Sequence, residues 1–283
     1  MKAAIIGMDS REESPFIRKA EGIFDECVYV PADEIRIESG EGRTRLVFGD
    51  HDIAKFEAVL PFPSARHSDL FLSIVTALEA SSTYIPYGLD GLLAYQKKLV
   101  GAMKLRRAGF ELPKTYYAIS ENAVEQILPE LEFPIRVTIG ERSSLIEDAR
   151  HMKSMIRLRK SGQAITIRKP VSDKIIGCFV VGNDIVSSVE IINGKMRGTG
   201  VGTGIKEAAV RATKSMGSAY GFVTFAGDTV ASFSLSPPFA TIERLSGKDV
   251  FTPLLEHAKA NVKAPITPRG ILSRILDLFG VKQ

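Results

Sequence analysis

The chain has 283 residues, of which 45% are apolar and 25% charged, with 37 Lys and Arg against 33 Asp and Glu. This length predicts two domains or one large one, and the apolar content excludes global disorder. No apolar run approaches the roughly 18 residues of a membrane span, and the N-terminus lacks the long apolar segment of a signal peptide. A net charge of +4 is too small to indicate nucleic acid as a partner.

The cysteine and histidine content excludes several kinds of site. Cys27 and Cys178 are the two cysteines, too few for a disulfide framework or a four-ligand zinc site, and the four histidines lack metal-ligand spacing. We therefore expect a soluble protein of the reducing cytoplasm, with Cys178 as a core thiol in an apolar strand.

Strands alternate with helices in the first third of the chain. We predict strands over 2–7, 26–30, 58–60 and 83–85, helices over 15–24 and 68–78, and a hairpin within 34–52. This order indicates an open α/β sheet.

The rest of the chain mixes short strands with helices, beginning with a basic amphipathic helix over 92–109. We predict strands over 114–118, 133–139, 164–167, 175–181 and 185–192, helices over 120–128, 151–160, 205–216 and 249–260, and an amphipathic helix over 271–279. A hairpin over 221–225 and 229–233 turns at Gly227-Asp228, which makes Asp228 a turn residue.

A glycine-rich loop runs through Gly198, Gly200, Gly202 and Gly204 and precedes a predicted helix. Closely spaced glycines expose backbone N–H groups, so the loop could cradle a phosphate or substrate. It is neither a P-loop nor a dinucleotide fingerprint, since no Gly-Lys-Ser/Thr follows and no βαβ unit surrounds it. A mobile connecting loop is the simpler interpretation.

Two further segments have an ordinary and a functional interpretation. The basic helix could direct Lys98 toward a nucleotide phosphate, although a solvated cationic face explains its charge more simply. The helix over 271–279 could dock a partner or lie on a membrane surface, but packing on its own domain is simpler for nine residues.

Several motifs in fixed order resemble the RimK-like amino-acid ligases of the ATP-grasp superfamily. They are Phe56-Glu-Ala-Val-Leu-Pro61, the helix at 69–80, Tyr84-Ile-Pro86, Tyr95-Gln-Lys-Lys-Leu99, Ala108-Gly-Phe-Glu-Leu-Pro-Lys-Thr115, Phe179-Val-Val-Gly182 and the segment 236–250. Together they extend over most of 1–260.

The resemblance implies an α/β (α+β) chain with the ATP-grasp fold. Its expected parts are a Rossmann-like pre-ATP-grasp domain over 1–93, an ATP-grasp domain over 94–260 and a tail over 261–283. The ATP-grasp domain divides into a central (lid) subdomain over 94–181 and a C-terminal sheet over 182–260. In such enzymes ATP activates a carboxylate as an acyl phosphate, which an amine then attacks. Two lysines contact the phosphates, and acidic and Asn side chains hold Mg²⁺.

When the family's nucleotide-binding residues are matched one by one to this sequence, only some of them are present. Lys98 matches the first lysine, whereas the second falls on Thr138, and Arg136 lies two residues earlier on the same strand face. The phosphate-covering loop falls on Gly140-Glu-Arg-Ser-Ser144. The nucleotide-binding set that we predict is Lys98, Arg136, Thr138, Arg168 and Lys169. ATP is the implied cofactor.

The positions that correspond to the family's metal ligands carry neutral residues in this sequence. The expected ligands fall on Thr199, Ser232 and Ser234, and an Asp/Arg pair of the family falls on Ile175 and Gly177. Serine and threonine hydroxyls supply no charge, while Mg²⁺ prefers carboxylates, so these positions argue against bound Mg²⁺. Three nearby acids remain as replacement ligands, namely Glu190, Asp228 and Glu243.

Three interpretations of function therefore stay open. The favoured one is a RimK-like ATP-grasp protein that binds a nucleotide or another ligand and has lost its ligase chemistry. The second is an active ATP-dependent carboxylate–amine ligase of the glutamate-adding kind with relocated Mg²⁺ ligands. The third is a scaffold that partners an active ligase through its C-terminal helix. The resemblance also implies a homo-oligomer, and the chain names no acceptor substrate.

Overall fold

The computed structural model describes residues 1–7, 10–40, 43–64, 67–139, 142–157, 163–172 and 174–262. The chain forms two compact units, one made of Met1–Phe110 with Lys174–Gln283 and the other of Glu111–Asp173. The predicted helix over 271–279 lies outside the described residues. Within those ranges, none of the helices combines the length and apolar character that a membrane crossing requires.

The first unit begins with a parallel sheet of three strands. These strands are β1 (Lys2–Gly7), β2 (Glu26–Pro31) and a later strand, β6 (Ala58–Pro61), in the order β2-β1-β6. Residues 3–6 of β1 are fully buried, as expected of a central parallel strand covered on both faces. Two helices accompany the sheet, α1 (Ser10–Glu21) and α2 (Ser68–Glu79). The predicted open α/β sheet is confirmed.

Two predicted elements of this region take a modified form. The hairpin within 34–52 is present as β3 (Arg36–Gly40) and β4 (Arg43–Phe48), and a short third strand, β5 (His51–Asp52), extends it. The strand expected over 83–85 is only a bridge, in which Tyr84 exchanges two backbone hydrogen bonds with the β6 segment.

The basic helix expected over 92–109 is two helices. They are α3 (Leu89–Gln96) and α4 (Lys98–Arg107), separated by Lys97 in an extended conformation with φ −101° and ψ 96°. A Cβ at Gly101 would lie 2.5 Å from the carbonyl oxygen of Ala94, so the missing side chain allows α4 to pack against the end of α3. The helical period continues across this break, which is why the pattern predicted one helix.

The second unit is an antiparallel sheet with two helices on one face. Its elements are β7 (Thr115–Ala118), α5 (Glu121–Ile127), β8 (Ile135–Ile139), β9 (Arg142–Ile146), α6 (Ala149–Arg157) and β10 (Ile165–Arg168), with strand order β7-β10-β8-β9. Val137, Ile165 and Ile167 are fully buried, together with Val124 of α5 and Met152 of α6. Strand β9 was not predicted, because Ser143 and Ser144 were assigned to a phosphate-covering loop. The start of that loop, Gly140-Glu141, lies outside the described residues.

The first unit is completed by a five-stranded antiparallel sheet. Its strands are β11 (Lys174–Val181), β12 (Asp184–Ile192), β13 (Lys195–Gly198), β14 (Tyr220–Ala226) and β15 (Thr229–Ser234), in the order β13-β12-β11-β14-β15. The helices α7 (Thr203–Ser215), α8 (Phe239–Ser246) and α9 (Phe251–Asn261) pack on it. Strand β13 and helix α8 were missed, being respectively a short polar edge strand and an eight-residue helix directly after two prolines.

Aromatic contacts join the two sheets of the first unit. Phe62 packs edge-on against Phe16 and Phe239, with ring centroids 5.0 and 5.4 Å apart. Phe239 in turn meets Phe179 of β11 at 5.4 Å. These pairs form one shared core, so the N-terminal and C-terminal sheets of this unit are held as a single body.

Candidate functional site

The face of the second unit's sheet that lies opposite its two helices carries two arginines side by side. Arg136 of β8 lies directly opposite Arg168 of β10 in the antiparallel register, so both side chains leave the same face. The neighbours of the two arginines along each strand, Val137 and Ile167, are fully buried and point from the other face into the core. The prediction that Arg136 and Thr138 share a face is confirmed.

We use the term arginine face for two rows of residues across this sheet. The first row is Thr115, Arg168, Arg136 and Leu145, and the second is Tyr117, Thr166, Thr138 and Ser143. The first row therefore holds the charge, and every member of the second carries a hydroxyl group. Thr138 Oγ1 donates a hydrogen bond to Ser143 Oγ at 3.1 Å. None of these eight residues is acidic.

Electrostatics on the arginine face favour an anion. Burial lowers the pKa of Arg168, and the positive charge of Arg136 lowers it further, against a smaller opposing effect of Tyr117. Both influences disfavour the guanidinium charge, so a bound anion would relieve them. The face can thus hold negatively charged oxygens.

The two remaining predicted cations lie in other settings. Lys169 follows β10, is exposed, and forms an ion pair with Glu132. Lys98 is the exposed first residue of α4 in the first unit, with Nζ 5.6 Å from the ring centroid of Tyr95. The residue assignment of both to a nucleotide stays a prediction.

Two of the three predicted metal positions, Ser232 and Ser234, lie on one face of the five-stranded sheet, which we name the serine face. It comprises Ser232 and Ser234 of β15, Phe222 and Thr224 of β14, and Gly177 of β11, which are paired across the strands. The hydroxyls of Thr224 and Ser232 hydrogen-bond to each other at 2.6 Å, and Ser234 Oγ accepts from the backbone N–H of Ser236 at 3.2 Å. These oxygens are therefore already used within the protein.

An aromatic ring occupies the place beside these serines. A Cβ at Gly177 would lie 2.2 Å from Cζ of Phe222, whose side chain is 5% exposed. Gly177 is where the family pattern has an arginine, so in this chain a ring covers the position from which that side chain would start. The serine face is consequently apolar at its centre.

Of the three acids considered as replacement ligands, Glu190 and Glu243 form ion pairs and Asp228 lies in a turn. Glu190 pairs with Ile176 and so lies on the opposite face of the sheet, where it forms ion pairs with Lys174 at 2.8 Å and with Arg197. The hydrogen bonds from Lys174 and then Arg197 lower the pKa of Glu190. Asp228 is exposed in the turn between β14 and β15, as predicted.

Glu243 holds structure together in α8. It forms an ion pair with Lys19 of α1 at 3.0 Å and accepts a hydrogen bond from the backbone N–H of Val250 at 3.1 Å. Lys19 also pairs with Asp249 at 2.8 Å. Although burial raises the pKa of Asp249, the hydrogen bonds from Lys19 and Thr252 outweigh it and hold that pKa at about 2. These acids stabilise the contact between α1, α8 and α9.

The residues at the predicted metal positions do not fit a Mg²⁺ site. Thr199 follows β13 and the two serines lie on β15, so they occupy opposite edges of a five-stranded sheet. Four strand spacings of about 4.8 Å put them far beyond the reach of one ion. Among the described residues, no three His, Cys, Asp or Glu side chains gather as a metal-binding group.

The glycine-rich loop joins β13 to α7. A Cβ at Gly198 would lie 2.8 Å from the carbonyl oxygen of Leu245, so packing of β13 against α8 requires this glycine. A Cβ at Gly200, Gly202 or Gly204 would meet open space. Thr199 is anchored to β12, since its carbonyl accepts from Ser188 Oγ at 2.6 Å. A role in binding phosphate or substrate stays a prediction.

Sequence reasoning missed two features that define these faces. The first is the register that sets Arg168 beside Arg136, because β8 begins at Ile135 and β10 only at Ile165, so no local pattern records their pairing. The second is Phe222 over Gly177. A glycine inside a strand signals close approach by another group, but the sequence does not say which one.

Comparison with known proteins identifies relatives over most of the chain. A probable alpha-L-glutamate ligase of Xanthomonas oryzae pv. oryzae is 24% identical over 237 residues, 75% of this chain and 80% of the relative. The corresponding protein of Cellvibrio japonicus is 25% identical over 241 residues, 76% and 80% of the two chains. No protein-family model matches the chain.

Solved structures share the fold at lower sequence identity. The ATP-grasp ligase PsnB complexed with a minimal precursor superposes with a TM-score of 0.73 at 15% identity, over 91% of this chain and 98% of PsnB. A RimK domain ATP-grasp protein from Sphaerobacter thermophilus gives 0.73 at 16%, over 92% and 100%. D-alanine–D-alanine ligase from Bacillus anthracis, complexed with ATP, gives 0.66 at 12%, over 93% and 96%. The fold is therefore the ATP-grasp fold, as expected.

Proposed function

Because the chain belongs to the RimK-like ATP-grasp superfamily, we propose that it binds a nucleotide and has lost or impaired ligase chemistry. Of the two expected nucleotide lysines, the resemblance keeps one, Lys98; Arg136 and Arg168 supply positive charge beside Thr138, where the second lysine is expected. The negatively charged ligands that a phosphoryl transfer to a carboxylate needs are replaced on the serine face.

The observation that carries this proposal is the state of the serine face. The hydroxyl oxygens of Ser232 and Thr224 form a hydrogen bond of 2.6 Å with each other, and the Phe222 ring covers Gly177. Phosphoryl transfer in this chemistry depends on a metal ion that neutralises the phosphate oxygens as charge moves between them. Neutral hydroxyls bonded to one another make a weak metal ligand set, so the barrier to transfer would stay high.

The test of this proposal separates binding from turnover. A ligand that binds only the folded protein raises its melting temperature, so thermal-shift screening with ATP and ADP, each with and without Mg²⁺, reports binding. ADP release in the presence of MgATP and a panel of amino acids that includes L-glutamate reports turnover. We expect a melting-temperature increase without ADP release. Acceptor-dependent ADP release that Lys98→Ala abolishes would contradict the loss of chemistry.

An active glutamate-adding ligase with relocated metal ligands is the second candidate. The observation in its favour is that the sequence relatives are named probable alpha-L-glutamate ligases. This candidate requires acids near the phosphates, whereas Glu190 and Glu243 are held in ion pairs. It predicts nucleotide binding that rises with Mg²⁺, which the same thermal-shift comparison measures.

We place the protein in the cytoplasm. Both cysteines are free thiols, and burial raises the pKa of the Cys178 thiol to about 12 and that of Cys27 to about 11. Cys178 is fully buried, which confirms it as a core thiol. Two cysteines that form no disulfide suit a reducing compartment.

A further inference from the structure

The half-buried side chain of His257 in α9 packs against the turn that joins β11 to β12. A Cβ at Gly182, in that turn, would lie 2.9 Å from Cε1 and 3.0 Å from Nδ1 of the imidazole ring. Gly182 has a φ of +60°, and its N–H donates to the carbonyl oxygen of Ala219 at 2.7 Å, just before β14 begins. The ring therefore lies against a fixed piece of backbone at one end of the five-stranded sheet.

A hydrogen bond from Asn261 determines which form of His257 this packing holds. Asn261 Nδ2 donates to the carbonyl oxygen of His257 at 2.8 Å, and the same nitrogen lies 3.4 Å from Nε2 of the ring. Because a carbonyl oxygen only accepts, the amide nitrogen of Asn261, and not its oxygen, must face the ring. Because that nitrogen only donates, Nε2 must be the unprotonated nitrogen. The arrangement fits the neutral imidazole and not the imidazolium.

Among the described residues, no carboxylate offsets the cost of a second proton on the ring. Helix α1 and strand β11 pack against α9, and the turn after β11 lies against the ring itself. Burial lowers the pKa of His257 below its ordinary value of 6.5, and no charged group on these elements counteracts that effect. The charged groups that they carry in the described part of the chain are Arg18, Lys19 and Glu21 of α1, Lys174 of β11, Asp184 beside the turn, and Glu256 and Lys259 of α9.

Protonation of His257 changes Nε2 from an acceptor into a donor. Two donors then face each other across 3.4 Å, and a half-buried ring beside the backbone gains a charge. The effect falls on the last turn of α9, since Phe251, Leu254 and Leu255 earlier in the helix are buried in the core. The same turn contains Lys259, whose Nζ donates to the carbonyl oxygen of Ile23 at 2.6 Å.

We propose that His257 makes the last turn of α9 a pH-sensitive contact, closed when the imidazole is neutral and open when it is protonated. A histidine that is harder to protonate in the folded than in the unfolded chain stabilises the fold fully above pH 6.5, and this contribution is lost as the pH falls below that value. Residues 263–283 continue from this turn, so its opening releases their point of attachment. The contact does not depend on nucleotide binding.

Amide hydrogen exchange of the full chain tests the inference. Exchange is measured by mass spectrometry at pH 7.5 and pH 5.5 and corrected for the pH dependence of the chemical exchange rate. Opening of the last turn should lower the protection of amides 257–261 by at least about threefold at the lower pH. Amides of α7, which carries no histidine, should keep their protection. Equal protection of amides 257–261 at the two pH values would overturn the inference.

A pair of histidine variants assigns the pH response to one side chain. His257→Gln removes the titrating group and keeps an acceptor for Asn261, so the protection of the last turn should be the same at both pH values. The matched control is His51→Gln, at an exposed histidine of β5, which should respond as the wild type does. A response that His257→Gln retains, or that His51→Gln removes, would overturn the inference.

Asn261→Asp tests the chemistry of the contact. A carboxylate accepts from a protonated Nε2 and favours the imidazolium. In this variant the protection of the last turn should therefore rise, and not fall, between pH 7.5 and pH 5.5. A fall as large as that of the wild type would mean that residue 261 does not face the ring, and it would contradict the proposed contact.

Discussion

The arginine face is positively charged, whereas the serine face carries neutral side chains. Both are faces of antiparallel sheets, and both fall on positions where the family resemblance expects contact with nucleotide or metal. On the arginine face Arg136 and Arg168 keep positive charge together at a cost to the sheet. On the serine face the hydroxyls of Thr224 and Ser232 bond each other, and the Phe222 ring covers Gly177.

In the function that we propose, recognition and chemistry are separated within one fold. Binding phosphate needs positive charge, which arginine supplies without a metal. Transferring phosphate needs a metal held by negative charge, whereas Glu190, Glu243 and Asp249 of the first unit form ion pairs with basic side chains. The predictions below test how firmly each part of this contrast holds.

The largest effect is expected at Gly177 on the serine face. Gly177→Ala would force a Cβ against the Phe222 ring, and overpacking of a core costs about 2 kcal/mol in the free energy of unfolding. Urea denaturation measures this, and adding Phe222→Leu should recover part of the loss through coupling between the two sites.

Gly200→Ala is the matched control for this substitution. A Cβ there meets nothing within 4 Å, so its free energy of unfolding should stay within about 0.5 kcal/mol of the wild type. If Gly177→Ala were as mild as the control, the ring would not fill the position as described.

We expect an intermediate effect at Asp249, an acid of the first unit that forms an ion pair with Lys19. The folded pKa of about 2 lies below the ordinary value of 3.8, so the ionised carboxylate stabilises the fold above pH 3.8. That contribution is lost as the pH falls from 3.8 toward 2. Because the side chain is 45% exposed, we expect Asp249→Asn to cost only about 1 kcal/mol at neutral pH.

Urea midpoints of the wild type and Asp249→Asn between pH 7 and pH 3 check this prediction. The difference between the urea midpoints of the two proteins should be constant near neutral pH. It should become smaller as the Asp249 carboxylate becomes protonated. A gap that does not change with pH would mean that the Asp249 charge does not stabilise the fold.

The smallest effect is expected from removing the serines. The double variant Ser232→Ala and Ser234→Ala should bind ATP within about twofold of the wild type, with or without Mg²⁺, because uncharged hydroxyls contribute little to metal affinity. Calorimetric titration measures this. A Mg²⁺-dependent loss of affinity in the variant would show that the serines do hold a metal ion.

The sequence predicted those parts of the fold that depend on local pattern. Alternation in β8 placed Arg136 and Thr138 on one face, and the apolar period identified α2 and α7 to within about two residues. Pairing across distant strands is different, because the register of β8 with β10 depends on the packing of the whole unit.

The unpredicted features of the site have the same physical origin. Phe222 lies over Gly177 because β11 and β14 are neighbours in the sheet, which no local pattern records. The helix breaks at Lys97 although the helical period of the sequence is continuous, and Gly101 packs closely against Ala94 across the break. The faces on which function depends are therefore set by long-range contacts.

The most direct test of the account is the metal dependence of ATP affinity. The wild-type chain is titrated with ATP by calorimetry, once in EDTA and once in excess Mg²⁺. We predict that ATP binds in EDTA and that Mg²⁺ leaves the affinity within about threefold or weakens it, since arginines rather than acids hold the phosphates. An affinity that rises with Mg²⁺ by about a hundredfold or more would mean that the chain holds a working metal site, and it would contradict the account.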